Sequence, residues 1–188
     1  MKYIIENSRI KVRPVEIEDA NYFTKWWNDG NLMESVGFKN GLNISFDKVK
    51  ERLLKSIESK NNEGTKIFIT IDSLNDKPIG ELSFGELDNN DKSCRIGMKI
   101  CELSYQGKRY GLESLCEFNK YLFNEFALDK IYIDTLMSNK RAINLYKKIG
   151  ATTIEIVESF WTNPEGILCD AIFLKLEKED FYKFLDTL

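Results

Sequence analysis

Two short stretches hold residue types whose spacing could do chemistry. Tyr105-Gln106-Gly107-Lys108-Arg109-Tyr110-Gly111-Leu112-Glu113 puts two glycines and two basic residues where a strand runs into a long helix. The first backbone amides of a helix have no intrahelical partner and point outward. With the helix dipole they form an anion site, and Lys108 and Arg109 could add direct phosphate contacts. The stretch fits a pyrophosphate cradle, and it fits equally well a solvated loop with two turn glycines. It lacks the G-x-x-x-x-G-K-S/T phosphate loop, and its glycine spacing fails the dinucleotide fingerprint. The second stretch is Ser138–Ala151, SNKRAINLYKKIGA, whose Tyr146 offers a phenol as a proton donor.

The chain has no histidine. That excludes a Ser-His-Asp or Cys-His hydrolase and any H-E-x-x-H metalloprotease. Acid–base chemistry is left to Glu, Asp, Tyr, Cys, Lys or water. The cysteines Cys94, Cys101, Cys116 and Cys169 form no C-x-x-C pair, so no metal site is expected. They read as reduced cysteines of a cytoplasmic protein. The N-terminal MKYIIENSRIKVRP has neither a long apolar run nor a cleavage pattern, and no stretch approaches a membrane span. A net charge of −3 argues against non-specific nucleic-acid binding, because phosphate neutralisation needs a basic surface.

These residues need elements to position them. The length of 188 residues fits one domain, spanning 1–188. Arg9–Val15 reads as a first strand and Glu16–Asp29 as a helix, followed by an irregular loop over Asn31–Ile44. Ser45 stands as the cap of a helix carrying Phe46, Val49, Leu53, Leu54 and Ile57. Lys66–Asp72, Pro78–Asp88 and Ser93–Cys101 form an antiparallel meander, the middle strand bent at a glycine. Then follow a helix at Tyr110–Ala127, a strand at Lys130–Leu136 and a helix at Asn139–Ile149 ended by Gly150. Strands at Ile154–Phe160 and Leu168–Leu176 and a helix at Lys178–Leu185 close the chain. The order β-α-α-β-β-β-α-β-α-β-β implies an α+β domain with a twisted, mixed, mainly antiparallel sheet flanked by helices. Its one β-α-β crossover should be right-handed and give a parallel pair.

Both stretches resemble motifs of the GNAT N-acetyltransferases. Gln106–Gly111 is similar to the coenzyme A loop R/Q-x-x-G-x-G/A: Gln106 and Gly111 match, and Arg109 stands in place of the first glycine. Asn139, Ala142, Tyr146 and Gly150 match N-x-x-A/S-x-x-x-Y-x-x-x-G-F, with Ala151 in place of the aromatic. The likeness covers most of the chain, weakly at Ile10–Ala20 and Gly166–Leu176 and least over Asn28–Lys60. It is nearest the branch holding ribosomal-protein and spermidine or diamine N-acetyltransferases.

The resemblance implies a cofactor and roles for named residues. Acetyl-CoA would bind on Gln106, Gly107, Lys108, Arg109, Tyr110 and Gly111, its pantetheine arm along the splayed strand Met98, Lys99, Ile100 and Cys101. Asn139 and Ala142 would complete that site, and Tyr146 would protonate the departing thiolate. Many members carry a glutamate where this chain has Arg95; Glu81 is the substitute base, with an outward solvated carboxylate and a water relay as alternatives. Trp26 and Trp27 point about 100° apart on a helix, so at most one faces the core fully. The other would line the acceptor pocket with Asp29, Glu34 and Phe38, or simply pack. The acceptor would be a small-molecule amine or a peptide N-terminus, the protein a monomer or homodimer. A coenzyme-binding regulatory module without catalysis is the alternative, prompted by Arg109 and Arg95; a plain interaction domain is a third.

Overall fold

The computed structural model describes residues 2–61 and 63–188. Its eight strands form one sheet: β1 (Ile5–Glu6), β2 (Ile10–Pro14), β3 (Lys66–Asp72), β4 (Lys77–Asp88), β5 (Ser93–Ile100), β6 (Lys130–Leu136), β7 (Thr152–Thr162) and β8 (Leu168–Glu177). They lie in the order β1-β2-β3-β4-β5-β6-β8-β7. All neighbours run antiparallel except β5 and β6, the pair joined by the crossover helix. The mixed, mainly antiparallel sheet and its single parallel pair are those expected. The short edge strand β1 is an addition; two residues hold too little alternation to announce a strand.

The helices are α1 (Ala20–Trp27), α2 (Gly30–Met33), α3 (Phe46–Glu58), α4 (Tyr110–Glu125), α5 (Lys140–Lys148) and α6 (Lys178–Leu185). They cover both faces of the sheet, each over its own core. Val15, Phe23, Trp26, Val49, Leu53, Ile69 and Ile71 pack beneath α1–α3. Phe68, Leu82, Phe84, Leu115, Phe118, Ile131, Ile143 and Phe181 pack beneath α4–α6. No helix among the described residues is long and apolar enough to cross a membrane.

The segment expected as an irregular loop after α1 is more ordered than its glycines and polar residues suggest. It holds α2 and a 3-10 turn at Glu34–Val36. Asn28 ties its far end down: its amide Nδ2 donates to the Ile44 carbonyl at 2.9 Å, and its Oδ1 accepts from the Ile44 amide at 2.8 Å. Gly37 has φ +93°, and a Cβ there would fall on the Trp161 ring, so no larger residue lets the segment close against β7.

The feature that matters for function is where the sheet stops being continuous. β5 and β6 pair only from Ser93 with Lys130 to Ile96 with Ile133. Both strands run on, to Ile100 and Leu136, but they diverge. In the antiparallel pair of β4 and β5, the Cys101 amide donates to the Ile79 carbonyl at 2.8 Å. Hydrogen-bonded and non-bonded pairs alternate along such a ladder. Glu81 with Lys99 and Ser83 with Gly97 therefore bond to each other, whereas the backbones of Met98 and Ile100 face the gap.

Candidate active site

A cavity of about 310 Å³ occupies this split in the sheet. Gly97, Met98 and Lys99 line it from β5, Asp134 and Thr135 from β6, and Asn139 and Tyr146 from the chain entering and forming α5. Trp27, Val36, Ile67 and Glu81 line it from the side of α1–α3. Because the lining comes from both faces, the split is a passage through the sheet.

Tyr146 reaches the cavity from α5 and is 5% exposed. Burial, and then the charge of Asp134, push its phenol up to about 12. It stays protonated across the ordinary pH range, as a proton donor must. Asn139 is the cap of α5: its Oδ1 accepts from the Ala142 amide at 3.2 Å, and its Nδ2 donates to Thr135 Oγ1 at 3.2 Å. Asn139 and Ala142 thus fix the start of the helix that carries Tyr146.

Glu81 faces Lys99 across the β4–β5 ladder. Its Oε2 accepts from the Trp27 indole N–H at 2.8 Å, and its Oε1 lies 3.4 Å from Lys99 Nζ. Lys99 Nζ also reaches Met33 Sδ at 2.9 Å. Glu81 is therefore not an outward solvated carboxylate; it is a paired carboxylate facing the passage. Of the two tryptophans, Trp27 lines the cavity. Trp26 is fully buried, its indole N–H donating to Glu102 Oε1 at 3.0 Å, so it cannot meet an acceptor.

The other expected acceptor residues lie outside the cavity lining. Asp29 caps α2, accepting from the Asn31 amide at 2.9 Å. Glu34 is exposed at the start of the 3-10 turn. Phe38 packs on Trp161, ring centroids 5.2 Å apart. Val36, between them, is the residue that reaches the passage. The expectation of four backbone contacts on Met98–Cys101 also narrows. The register turns Lys99 toward β4, and the Cys101 amide bonds to Ile79, leaving Met98 and Ile100.

The glycine-rich loop lies at the open end of the split. Gln106 Nε2 donates to the Ile100 carbonyl at 2.8 Å, and its Oε1 accepts from Arg141 Nη1 at 2.7 Å, so Gln106 joins the loop to β5 and α5. α4 begins without a side-chain cap, as α1 and α6 also do, whereas α2, α3 and α5 have one. Its first-turn amides at Tyr110, Gly111 and Leu112 are thereby left for an external anion. Arg109, in the place of the motif glycine, adopts the left-handed conformation at φ 68°. A side chain there costs about 1–2 kcal/mol but does not close the loop, because Arg109 is exposed. A Cβ on Gly111 would meet Ile100, Met98 and Leu145 at 3.6 to 3.9 Å, filling the seam between α4, β5 and α5. The uncapped helix, the gap-facing backbone of Met98 and amide of Ile100, and the open seam fit a pyrophosphate with an extended amide-bearing arm, which is the chemistry of coenzyme A.

Several residues that sequence reasoning passed over hold this loop. Asp72, almost fully buried at the end of β3, accepts from Tyr105 Oη at 3.1 Å, Tyr110 Oη at 3.3 Å and Asn75 Nδ2 at 2.6 Å. Burial pushes its carboxyl up, and the donors outweigh that, so it lies below the usual carboxylate value. Arg9 donates to the Lys108 carbonyl at 3.0 Å and stacks over Tyr110. The only signals were an acid ending an apolar strand, KIFITID, and the basic pair Lys140–Arg141 after Asn139. On β6, Asp134 pairs with Arg95 Nη1 at 2.7 Å. Arg95, expected in the place of a glutamate, is a counter-ion here, to Asp134 and, at 3.0 Å, to Glu86.

The fold and the divided sheet define a class, the acyltransferases that take their acyl group from coenzyme A. Comparison with known proteins gives the particular family. A family model described as the acetyltransferase (GNAT) domain matches residues 9–152, and the chain belongs to this family, whose members transfer acetyl from acetyl-CoA to amines. Among curated proteins it is similar to a spermidine N(1)-acetyltransferase of Vibrio cholerae, 26% identical over 158 residues, covering 84% of this chain and 87% of the relative. It is also similar to an uncharacterized N-acetyltransferase p20 of Bacillus licheniformis, 21% identical, covering 92% and 95%. Among solved structures, Vibrio cholerae spermidine N-acetyltransferase in complex with CoA and spermine superposes with a TM-score of 0.82 at 21% identity, covering 94% of this chain and 99% of that one.

Proposed function

We propose that this chain acetylates a primary amine of a small molecule by direct attack of the amine on the thioester of acetyl-CoA, in the passage between β5 and β6. The observation that carries this is a single cavity lined by Tyr146, Glu81 and the splayed backbone of β5. Acetyl-CoA supplies the activated acetyl group and a thiolate leaving group. The first-turn amides of α4, with Lys108 and Arg109, hold the pyrophosphate, and Met98 and Ile100 hold the pantetheine arm. A backbone N–H of β5 facing the gap stabilises the developing oxyanion. Tyr146 protonates the departing sulfur. Glu81 receives and orients the incoming ammonium, whose proton passes to Glu81 or to water before attack.

The relatives named for spermidine support a small-molecule acceptor over a peptide N-terminus. A reducing, cytoplasmic setting belongs to the same reading: all four cysteines are free, three of them buried. We take the working unit to be a monomer or a homodimer. The test is release of the coenzyme A thiol by wild type and Tyr146→Phe with a panel of primary amines, alongside titration with acetyl-CoA. Binding by both, with turnover much slower in the variant, is expected. Binding without turnover by wild type would indicate a coenzyme-binding module instead.

A further inference from the structure

The charges around the acceptor side of the passage restrict which amines it can take. Two carboxylates line the cavity, Glu81 and Asp134, and each already faces a cation of the same chain. Asp134 is held by Arg95 at 2.7 Å. Glu81 is paired with Lys99 at 3.4 Å, both side chains being only 17% exposed. The pairing is built in. Glu81 and Lys99 stand directly opposite in the β4–β5 register, and the Lys99 ammonium is also held on Met33 Sδ at 2.9 Å. Lys99 therefore has little freedom to withdraw when a ligand arrives.

A second cation stands on the approach. A larger cavity of about 700 Å³ adjoins the first, and both are lined by Trp27, Thr65 and Ile67. Arg52 lines the larger one and lies over the Trp27 ring, 5.5 Å from its centroid. Among the described residues it is in no ion pair. Trp27 thus has Glu81 and then Lys99 beyond its indole N–H, and Arg52 over its face.

We infer that the acceptor is a primary amine bearing a carboxylate, as in an amino acid, rather than a polyamine; this rests on the acetyl-transfer reading above. The ammonium is received by Glu81 and the carboxylate by Lys99 and Arg52, so the ligand's charges run opposite to those of the site. A polyamine brings further ammonium groups into the same space, where Lys99 and Arg52 repel them. Lys55, Glu58 and Glu63 also line the outer cavity; Lys55 is paired with Glu51 at 2.7 Å and Glu63 with Lys60 at 3.5 Å, and of the two charges left, Arg52 and Glu58, Arg52 is the one that lies over Trp27, the residue shared with the inner cavity.

The test measures coenzyme A thiol release from acetyl-CoA with a set of amino acids, their uncharged carboxamides and spermidine, using wild type, Lys99→Met and Arg52→Gln. Methionine keeps the length of the lysine stem, and Arg52 is on the exposed side of α3, so at least one variant will fold. Wild type should prefer at least one amino acid over its carboxamide and over spermidine by about tenfold in kcat/KM, the scale of one favourable charge contact. Either variant should shrink that preference, chiefly through KM for the acceptor. Preference for spermidine over every amino acid, unchanged by Lys99→Met and Arg52→Gln, would overturn the inference while leaving acetyl transfer intact. No thiol release with any amine would overturn both.

Discussion

In the proposed reaction Tyr146 acts through one oxygen atom. Its ring is buried among core residues, and its phenol, raised to about 12 by burial and the nearby Asp134, is the acid form at any working pH. Tyr146→Phe keeps the packing and removes the proton donor. It should lower kcat by about 100-fold or more, with little change in acetyl-CoA affinity by titration or in melting temperature. The pH profile follows from the direction of the shift. A raised pKa leaves no descending limb from Tyr146 until the pH nears 12, so kcat should rise with pH as the acceptor amine loses its proton, then level off. A fall between about pH 8 and 10 would point to another acid.

Elements position that oxygen and the loop opposite it, and they depend on a few backbone and buried polar choices. Gly37 and Gly107 both have positive φ, but only Gly37 also lies against another side chain. Gly107→Ala should cost about 1 kcal/mol, the left-handed penalty alone, or a fall of about 2–4 °C in melting temperature. Gly37→Ala adds the clash with Trp161 and should cost clearly more, read in the same thermal scan. Asp72 ties β3 to Tyr105 and Tyr110, the tyrosines that flank the proposed cofactor loop. Asp72→Asn weakens three charge-assisted bonds and should destabilise by about 2 kcal/mol. It should raise KM for acetyl-CoA several-fold while leaving the acceptor KM near its wild-type value, because the loop and not the passage is loosened. An unchanged acetyl-CoA KM would show that the tyrosines hold the loop without it.

At the scale of the molecule, Glu102 joins the α1 side to the end of β5. It accepts from Trp26, Lys25 and Lys77 at 3.0, 3.2 and 2.7 Å. Burial pushes its carboxyl up, but these bonds prevail and hold it at about 2, below the ordinary 4.5. A depressed folded-state pKa adds stability that is fully present above the unfolded value and is lost as pH falls through the folded one. Global stability should therefore drop between about pH 4.5 and 2, and Glu102→Gln should flatten that part of the curve, measured by denaturant unfolding at several pH values. The variant should be about 2 kcal/mol less stable near neutrality. Equal pH dependence in both proteins would remove Glu102 from the account.

Much of this arrangement was legible in the chain itself. Strand and helix periodicity is local, so β2 to β6, α3, α4 and α5 could be read from spacing, and the two motif blocks picked out the glycine-rich loop before α4 and Tyr146, which lines the cavity. A bend in β4 was expected at a glycine, and the register does shift between Gly85 and Asp88. What spacing could not give was which side chains share a space. Trp26 and Trp27 are adjacent in sequence, yet one is in the core and the other faces the passage, because that depends on how α1 rolls onto the sheet. Asp29, Glu34 and Phe38, expected at the acceptor, are found capping α2, in solvent and on Trp161, and Val36 lines the cavity instead. The narrowing of the β5 contacts to Met98 and Ile100 needed the strand register, and the pairing of Glu81 with Lys99 needed β4 beside β5. The sequence by itself determined the elements and the chemistry available, since both follow from local spacing and residue type. Only the tertiary structure decided which charges are already neutralised, because ion pairs and ladders join residues far apart in the chain.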